Sequence, residues 1–253
     1  GGKNAYADWT NVTVNVDETS YVKANSVENG TAYRTYVGGV VGQPICPITM
    51  TNVVSNIDVY SQDGMVGGIA GYVMPNSTLT NCSFTGNVYR VASTGTENQV
   101  KRIGGILGSW ESKYGKVVLD ECEFEGTLYN AGSEYTDYLY GGLVGRAATT
   151  TEDATGVLII NGLTYANEHF AVDAMGNVYV YSLEGLKKAL NDAEEGTTNI
   201  FIEMDIKGDA TLVQKPDVKV VINGNGCTLT STGRNFLVYF DLVLIDSVGG
   251  AVL

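Results

Sequence analysis

The chain has 253 residues, and its 28 acidic and 15 basic side chains give a formal net charge of −13. This charge argues against a nucleic-acid partner, because binding to a phosphate backbone requires clustered Lys and Arg. The hydrophobic content of 44% excludes disorder as the general state. The sequence contains no apolar run of about 18 residues, so we expect no membrane span. It also contains no recognisable signal peptide.

A glycine phrase is repeated four times along the chain. Each copy has two glycines, two small or apolar residues and a third glycine, and the copies occupy residues 38–42, 67–71, 104–108 and 141–145. A repeated phrase at this period is typical of a solenoid, in which each repeat buries its apolar face against its neighbours. No copy opens a helix or carries a following Lys-Ser/Thr pair, so close backbone approach is a better explanation than phosphate binding.

A second shared segment forms strands that end at an asparagine. Apolar and polar residues alternate after each asparagine with a period of two, which predicts strands with one buried face. The asparagines are Asn11, Asn52, Asn81 and, in a degenerate copy, Asn161, while Glu121 interrupts the column. Asparagine tolerates left-handed backbone, so we expect a corner at each position and a ladder of stacked side-chain amides. The alternative is a set of unrelated loop asparagines.

A different organisation begins near Phe170. Ser182 is a candidate N-cap for an amphipathic helix over about residues 183–194, with Gly196 as its stop. Leu183, Leu186, Leu190 and Ala193 share one face of this helix, and Glu184 and Lys188 are spaced for an ion pair. Strand-like runs follow at 200–202, 210–213, 218–222 and 242–245, with a turn at 223–226. We expect the helix to cap the open end of a second stack of coils.

The predicted fold class is therefore all-β, a parallel β-helix (β-solenoid) of about four GGxxG repeats with one capping helix near residues 183–194. We expect residues 1–168 to form the repeats and residues 169–253 to form the helix and further β-helix-like coils. The four cysteines are Cys46, Cys82, Cys122 and Cys227, and they lack the spacing of a zinc site. Cys82 and Cys122 share an inward column, so we expect reduced, packed thiols.

The glycine phrases, with the Asn-Cys-x-Phe-x-Gly-x-Val segment at 81–88, resemble the GLUG repeat of bacterial surface and adhesin-like proteins. The resemblance covers residues 30–165. The C-terminal part, with its Ser182-capped helix and its turn at 222–226, is similar to the N-terminal coils of pectin-lyase-like β-helices. The GLUG resemblance implies secretion, a β-solenoid, and a role in surface attachment or glycan contact. It supplies no catalytic residue.

Candidate catalytic groups are few. His169 is the single histidine, and no Gly-x-Ser-x-Gly motif occurs, so we assign no catalytic residue and no cofactor. Glu121, Glu123 and Glu125 alternate with inward residues and should face solvent together. They are weak metal candidates, because Ca²⁺ takes about six to eight oxygens and one strand supplies too few. Paired carboxylates of the glycosidase type remain an open alternative, because their separation is spatial.

Aromatic residues concentrate between Trp110 and Tyr140. We single out as ligand-binding candidates Trp110, Tyr114, Tyr129, Tyr135 and Tyr138, because exposed aromatic faces stack on sugars. The alternative is ordinary half-buried strand tyrosine. We expect a monomeric, non-enzymatic module, extracellular or on the bacterial cell surface, that contacts host or environmental glycans or surface proteins. The alternatives are a polysaccharide lyase or hydrolase acting in an outer groove, and a structural spacer of a larger surface protein.

Overall fold

The computed structural model is mostly β and contains two compact units, Gly1–Asn161 and Gly162–Leu253. It describes residues 5–17, 19–24, 27–28, 31–32, 35–62, 64–91, 102–130, 132–134, 140–145, 154–165, 170–203, 205–208, 217–230 and 241–250. Within these ranges there is one α-helix. No helix in the described part of the chain has the length and apolar character that a membrane crossing requires.

In the first unit, successive repeats add strands to the same parallel sheets. Sheet I contains, in spatial order, Ala7–Thr10, Ile48–Thr51, Ser77–Thr80, Lys116–Asp120 and Val157–Ile160. Sheet II contains Thr13–Val14, Val54–Ser55, Ser83–Phe84 and Glu123–Phe124. Sheet III contains Tyr21–Ala24, Asp58–Gln62, Val88–Val91 and Leu128–Asn130. Each repeat thus passes through the three sheets in the same order.

Two further parallel sheets flank the glycine phrases. Sheet IV contains Thr35–Gly38, Gly64–Gly67 and Ile103–Gly104, and sheet V contains Ala70–Val73 and Leu107–Trp110. Two antiparallel pairs lie outside this parallel pattern. One joins Val27–Glu28 to Thr31–Ala32, and the other joins Leu128–Asn130 to Ser133–Glu134. A short three-residue 3-10 turn, Tyr140–Gly142, opens the fourth glycine phrase.

The core of the first unit follows from the register of these sheets. In sheet I, Met50 pairs with Leu79, Leu79 with Leu119, and Leu119 with Ile160. All four side chains are buried. Because side chains alternate between the two faces of a strand, one aligned apolar position in each repeat builds a continuous inward column.

The glycine phrases bring successive repeats into close backbone contact. The Gly39 amide donates to the Gly68 carbonyl at 2.8 Å, and the Gly68 amide donates to the Gly105 carbonyl at 3.0 Å. A Cβ atom on Gly68 would overlap both the Gly105 carbonyl oxygen and the buried ring of Phe84. Gly68 does not have a positive φ. Glycine is therefore required here for space rather than for left-handed backbone.

The asparagine ladder predicted from the repeat alignment is confirmed. Asn11, Asn52 and Asn81 have φ values of 56°, 55° and 50°. The Asn81 side-chain amide donates to Asn52 Oδ1 at 2.7 Å, and the Asn52 amide donates to Asn11 Oδ1 at 2.8 Å. The left-handed backbone turns each amide along the stack, so that one corner per repeat is tied to the next.

The last two members of the column differ from this pattern. Glu121 and Asn161 both keep the left-handed backbone, with φ values of 51° and 48°, so the predicted corners are confirmed and only the side-chain ladder differs. Because Leu119 pairs with Ile160, Asn161 lies opposite Asp120, one position earlier than the column predicts. Its Oδ1 accepts a hydrogen bond from the Glu121 backbone amide at 2.9 Å. Asn161 therefore caps a backbone group instead of continuing the side-chain ladder.

The second unit begins with antiparallel strands. Leu163–Tyr165, Phe170–Val172 and Val178–Val180 pair in this way, which differs from the parallel coils expected there. The connection from Val172 to Val178 is short, and Asp173 Oδ1 accepts the backbone amides of Met175 and Asn177 within it. A tight turn of this length can only join antiparallel strands, because parallel strands need a long crossover.

Parallel pairing follows in the rest of the second unit. Val178–Val180, Gly196–Ile202, Val218–Asn223 and Asp241–Ile245 form one parallel succession, and Ile206–Lys207 pairs in parallel with Leu229–Thr230. The predicted turn at 223–226 is confirmed by a Cys227 amide that donates to the Gly224 carbonyl at 2.8 Å. The predicted run at 210–213 lies outside the described residues.

The helix spans Leu183–Asp192, and its predicted N-cap is confirmed. Ser182 Oγ accepts the Gly185 amide at 3.0 Å. Leu186, Leu190 and Ala193 are buried in the core of this unit, as the apolar face predicts.

The helix ends two residues before the predicted bound, and Gly196 begins the next strand. Lys188 Nζ lies 3.1 Å from Asp192 Oδ2, so its ion pair is one turn later than the predicted pair with Glu184. The capping role of the helix stays a prediction.

All four cysteines are free thiols, in agreement with the sequence prediction. Cys82 and Cys122 are buried and directly precede the sheet II strands Ser83–Phe84 and Glu123–Phe124. A hydrogen bond with Cys82, together with burial, raises the pKa of the Cys122 thiol. Burial of both side chains makes them small packed groups in the core.

We predict that Glu121→Asn increases the free energy of unfolding. Asparagine fits the left-handed corner better than glutamate and places an amide beside Asn81, so we expect a gain of about 1 kcal/mol. Denaturant unfolding measures the change. Glu121→Gly is the matched control, because it relieves the backbone strain without adding the amide. An asparagine variant no more stable than the natural chain would contradict the ladder as a source of stability.

Candidate functional site

The outer face of sheet III carries a stack of aromatic rings. The strand register places Tyr60 beside Tyr89 and Tyr89 beside Tyr129. The ring centroids are 4.3 and 4.7 Å apart, with interplanar angles of 2° and 6°. Tyr21 extends the stack at one end, with its ring 5.5 Å from that of Tyr60 and tilted by 73°. We call these four residues the tyrosine row.

Alternation along the strands explains why the tyrosines point outward. Val59 and Val88, which precede Tyr60 and Tyr89, are fully buried. Their neighbours must therefore emerge on the opposite face. Stacking covers the faces of the inner rings, so that these rings present their edges and hydroxyl groups. Tyr21 is 59% exposed and offers the most accessible ring of the row.

The row has a distinct electrostatic character. Partial burial of Tyr89, followed by the negative charge of Asp58 and the neighbouring tyrosine hydroxyls, raises the pKa of Tyr89 to about 12. Its phenol stays neutral over the physiological range and can both donate and accept a hydrogen bond. Tyr89 therefore contributes a neutral, hydroxyl-bearing ring to the row on an acidic protein.

The sequence-predicted aromatic candidates do not form one surface. Trp110 is only 3% exposed, because it pairs with the buried Val73 in sheet V, so its ring has no accessible face. This corrects the expectation of an exposed Trp110. Tyr114 is exposed and lies outside the tyrosine row, and Tyr129 is a member of it. Tyr135, Tyr138 and His169 lie outside the described residues.

Sequence reasoning missed Tyr60 and Tyr89, although a signal was present. The aligned repeat segments end at Val59, Val88 and Leu128, and the next residue in every copy is a tyrosine. Extending the alignment by one column would have predicted the row. The local density of aromatic residues favours the segment from Trp110 to Tyr140 instead.

The three candidate glutamates do not form a metal centre. Glu121, Glu123 and Glu125 are all exposed, as the alternation predicts. Across the described residues, no group of three or more His, Cys, Asp or Glu side chains could hold a metal ion. A solvated strand edge accounts for their position.

A comparison with protein families identifies the GLUG motif at residues 63–89. The match begins beside the strand Gly64–Gly67 and ends at Tyr89, so it contains one glycine phrase, one corner asparagine and one member of the tyrosine row. This supports the GLUG part of the resemblance for that segment. No curated protein and no solved structure matches the chain.

We predict that Tyr89 makes stability fall above about pH 10, where an unfolded tyrosine ionises. The folded chain keeps the phenol protonated up to about pH 12. The contribution of Tyr89 to the free energy of unfolding is therefore complete below the pKa of the unfolded chain. It is lost as the pH rises through the pKa of the folded chain. Tyr89→Phe should reduce this loss, as measured by denaturant unfolding across that range. Tyr114→Phe, an exposed tyrosine outside the row, controls for removal of one phenol. An identical pH profile for Tyr89→Phe and the natural chain would contradict the assignment.

Proposed function

We propose that the first unit is a β-solenoid module of a secreted or cell-surface bacterial protein. In this proposal it makes adhesive contacts with glycans or surface proteins through the tyrosine row. The observation that carries the proposal is the row itself, in which successive repeats present the same aromatic side chain at a spacing of 4.3 to 4.7 Å. Tyrosine combines a large apolar body with a polar tip and dominates many protein contacts.

The solenoid part of the proposal is supported by the pairing pattern. Sheet I receives one strand from each of five successive copies of the repeat, and sheets II and III receive one from each of four, all in parallel. Such stacking makes an extended, rigid surface from short repeats. A rigid surface loses little conformational entropy on binding, which favours contact by many weak interactions.

The resemblance to GLUG proteins supports the location and the class of partner. The motif match at residues 63–89 covers the repeat that contributes Tyr89 to the row. GLUG repeats imply secretion and surface attachment or glycan contact. The net charge of −13 favours solubility and disfavours anionic partners such as nucleic acid.

A structural spacer is the second candidate function. The side-chain bonds from Asn81 to Asn52 and from Asn52 to Asn11 tie the corners of successive repeats together. A stiff stack of this kind can hold another domain at a distance without contacting any ligand. The spacer and the contact module differ in one respect, because only the contact module depends on the outer tyrosines.

We predict that the double substitution Tyr60→Ser and Tyr89→Ser lowers binding to immobilised glycans or bacterial and host cells by at least about tenfold. The full chain is tested on a glycan array and in a cell-adhesion assay. Tyr6→Ser with Tyr114→Ser is the matched control, because these tyrosines are exposed but lie outside the row.

Folding of each variant is checked by its thermal midpoint. Tyr60→Phe with Tyr89→Phe keeps the ring stacking and removes only the hydroxyl groups, so it separates a binding defect from lost packing. If the natural chain binds neither glycans nor cells, or if the row and control variants bind equally well, the contact function is wrong and the spacer remains.

A further inference from the structure

A polar cleft lies at the corner between sheets II and III, beside the tyrosine row. It has a volume of about 260 Å³. Three successive repeats contribute its polar lining, which consists of Asp17, Ser20, Asn56, Asp58, Thr85 and Asn87. We call it the corner cleft. Its size is slightly below the roughly 300–1,000 Å³ of pockets for drug-sized ligands, so it suits one small polar unit.

Ladder bonds hold the walls of the corner cleft in place. Asp58 Oδ1 accepts the Asn87 backbone amide at 2.7 Å, and Asn87 Oδ1 accepts the Thr127 backbone amide at 3.0 Å. Asn56 Oδ1 accepts the Val16 amide at 2.9 Å. Asn56, Asp58 and Asn87 are therefore each oriented by a bond to another repeat, so this part of the wall is formed before any ligand arrives.

Part of the hydrogen-bonding capacity of the cleft is left over. Asp17 Oδ1 accepts Thr19 and Ser20 hydroxyl groups at 2.7 and 2.9 Å. The hydrogen bonds from Thr19 and Ser20 lower the pKa of Asp17, so that its carboxylate stays charged. Among the described residues, Oδ2 of Asp17, Oδ2 of Asp58 and the Asn87 side-chain amide have no hydrogen-bond partner in the fold. The lining thus carries two carboxylate oxygens that can accept and one amide NH2 group that can donate.

The accessible aromatic ring of Tyr21 belongs to a residue that adjoins two lining residues of the cleft, Ser20 and Asp58, without itself lining the cleft. Tyr21 follows Ser20 directly and pairs with Asp58 in the strand register. Its ring is 59% exposed and is not covered by parallel stacking, because it meets Tyr60 edge to face. A flat apolar ring next to fixed hydrogen-bonding groups is the combination that recognises a pyranose.

We propose that the corner cleft binds a neutral, hydroxyl-rich sugar unit, with the ring of Tyr21 against one sugar face. This inference rests on the proposed contact function and names its ligand class. A sugar hydroxyl donates to a carboxylate and accepts from an amide, so it matches both kinds of unused group. A Lys or Arg side chain has donors only and would leave the Asn87 amide unsatisfied.

The same lining selects against acidic sugars. Asp17 and Asp58 place two carboxylates in the cleft, and the protein as a whole is strongly negative. A uronic acid would bring a further negative charge next to them, and repulsion between like charges would weaken its binding. The cleft should therefore discriminate between neutral and acidic glycans of the same ring size.

The test uses the full chain and a panel of neutral gluco-, galacto- and manno-oligosaccharides with matched uronic-acid oligosaccharides. We expect the natural chain to bind at least one neutral oligosaccharide, and Asp58→Asn to weaken that binding at least about tenfold. Asp58→Asn keeps the shape and the Oδ1 acceptor. Asp120→Asn is the matched control, because Asp120 is an exposed carboxylate on sheet I outside the cleft. Tyr21→Ala should weaken the same binding.

The outcomes separate this inference from the proposed function. Equal binding of neutral and uronic-acid oligosaccharides, or equal binding by Asp58→Asn and Asp120→Asn, overturns the cleft assignment. Glycan or cell binding that needs Tyr60 and Tyr89 but not Asp58 overturns it while leaving the contact function intact. Selective binding of an Arg- and Lys-rich peptide that requires Asp58 overturns the sugar assignment in favour of a cationic partner. Absence of all binding by the natural chain overturns both.

Discussion

In-register parallel pairing between successive repeats is the constraint on which the rest of the first unit depends. Side chains alternate along a strand, so a slip of one residue would move every buried group to the surface. Val59 pairs with Val88, and Val88 pairs with Leu128, and all three are buried. Once this apolar column is fixed, the position of every outward side chain is fixed as well. Identical outward residues then stack on one another, because the register of the buried column already brings them together.

The same constraint produces three different kinds of ladder. At the corners it aligns amides, at the glycine phrases it aligns backbone amides and carbonyls, and on sheet III it aligns phenol rings. The first two ladders hold repeats together, whereas the third faces solvent and is available for contact. The corner cleft combines both roles, because Asp58 and Asn87 each use one oxygen to bind the next repeat. Both residues also line the corner cleft, where we propose that their remaining polar atoms bind a sugar.

Sequence alone predicts the features that repeat and misses those that depend on exact register. The column Asn11, Asn52 and Asn81 was recognisable because left-handed corners favour asparagine. The left-handed corner at Asn161 is predicted as well, but its shift of one position is not, because the shift depends on how Leu119 pairs with Ile160. Composition suggested exposed aromatic residues near Trp110, but burial of that ring follows from pairing with Val73, which lies 37 residues away.

In the second unit, too, the sequence predicts features that depend on nearby residues and misses features that depend on strand pairing. The Ser182 cap and the buried helix face depend on residues within one or two helical turns, and both are confirmed. The antiparallel strands from Leu163 to Val180 were not predicted, because the direction of pairing depends on the turn around Asp173. A carboxylate that binds backbone amides two and four residues later is a local signal for such a turn.

Nuclear Overhauser effects between the rings of the tyrosine row test the central claim most directly. With specifically labelled tyrosines, the account predicts strong cross-peaks between Tyr60 and Tyr89 and between Tyr89 and Tyr129, whose ring centroids lie 4.3 and 4.7 Å apart. These residues are distant in sequence, so only in-register stacking brings the rings together. Absence of these cross-peaks in the folded chain, or cross-peaks from Tyr89 to residues of another register, would contradict it.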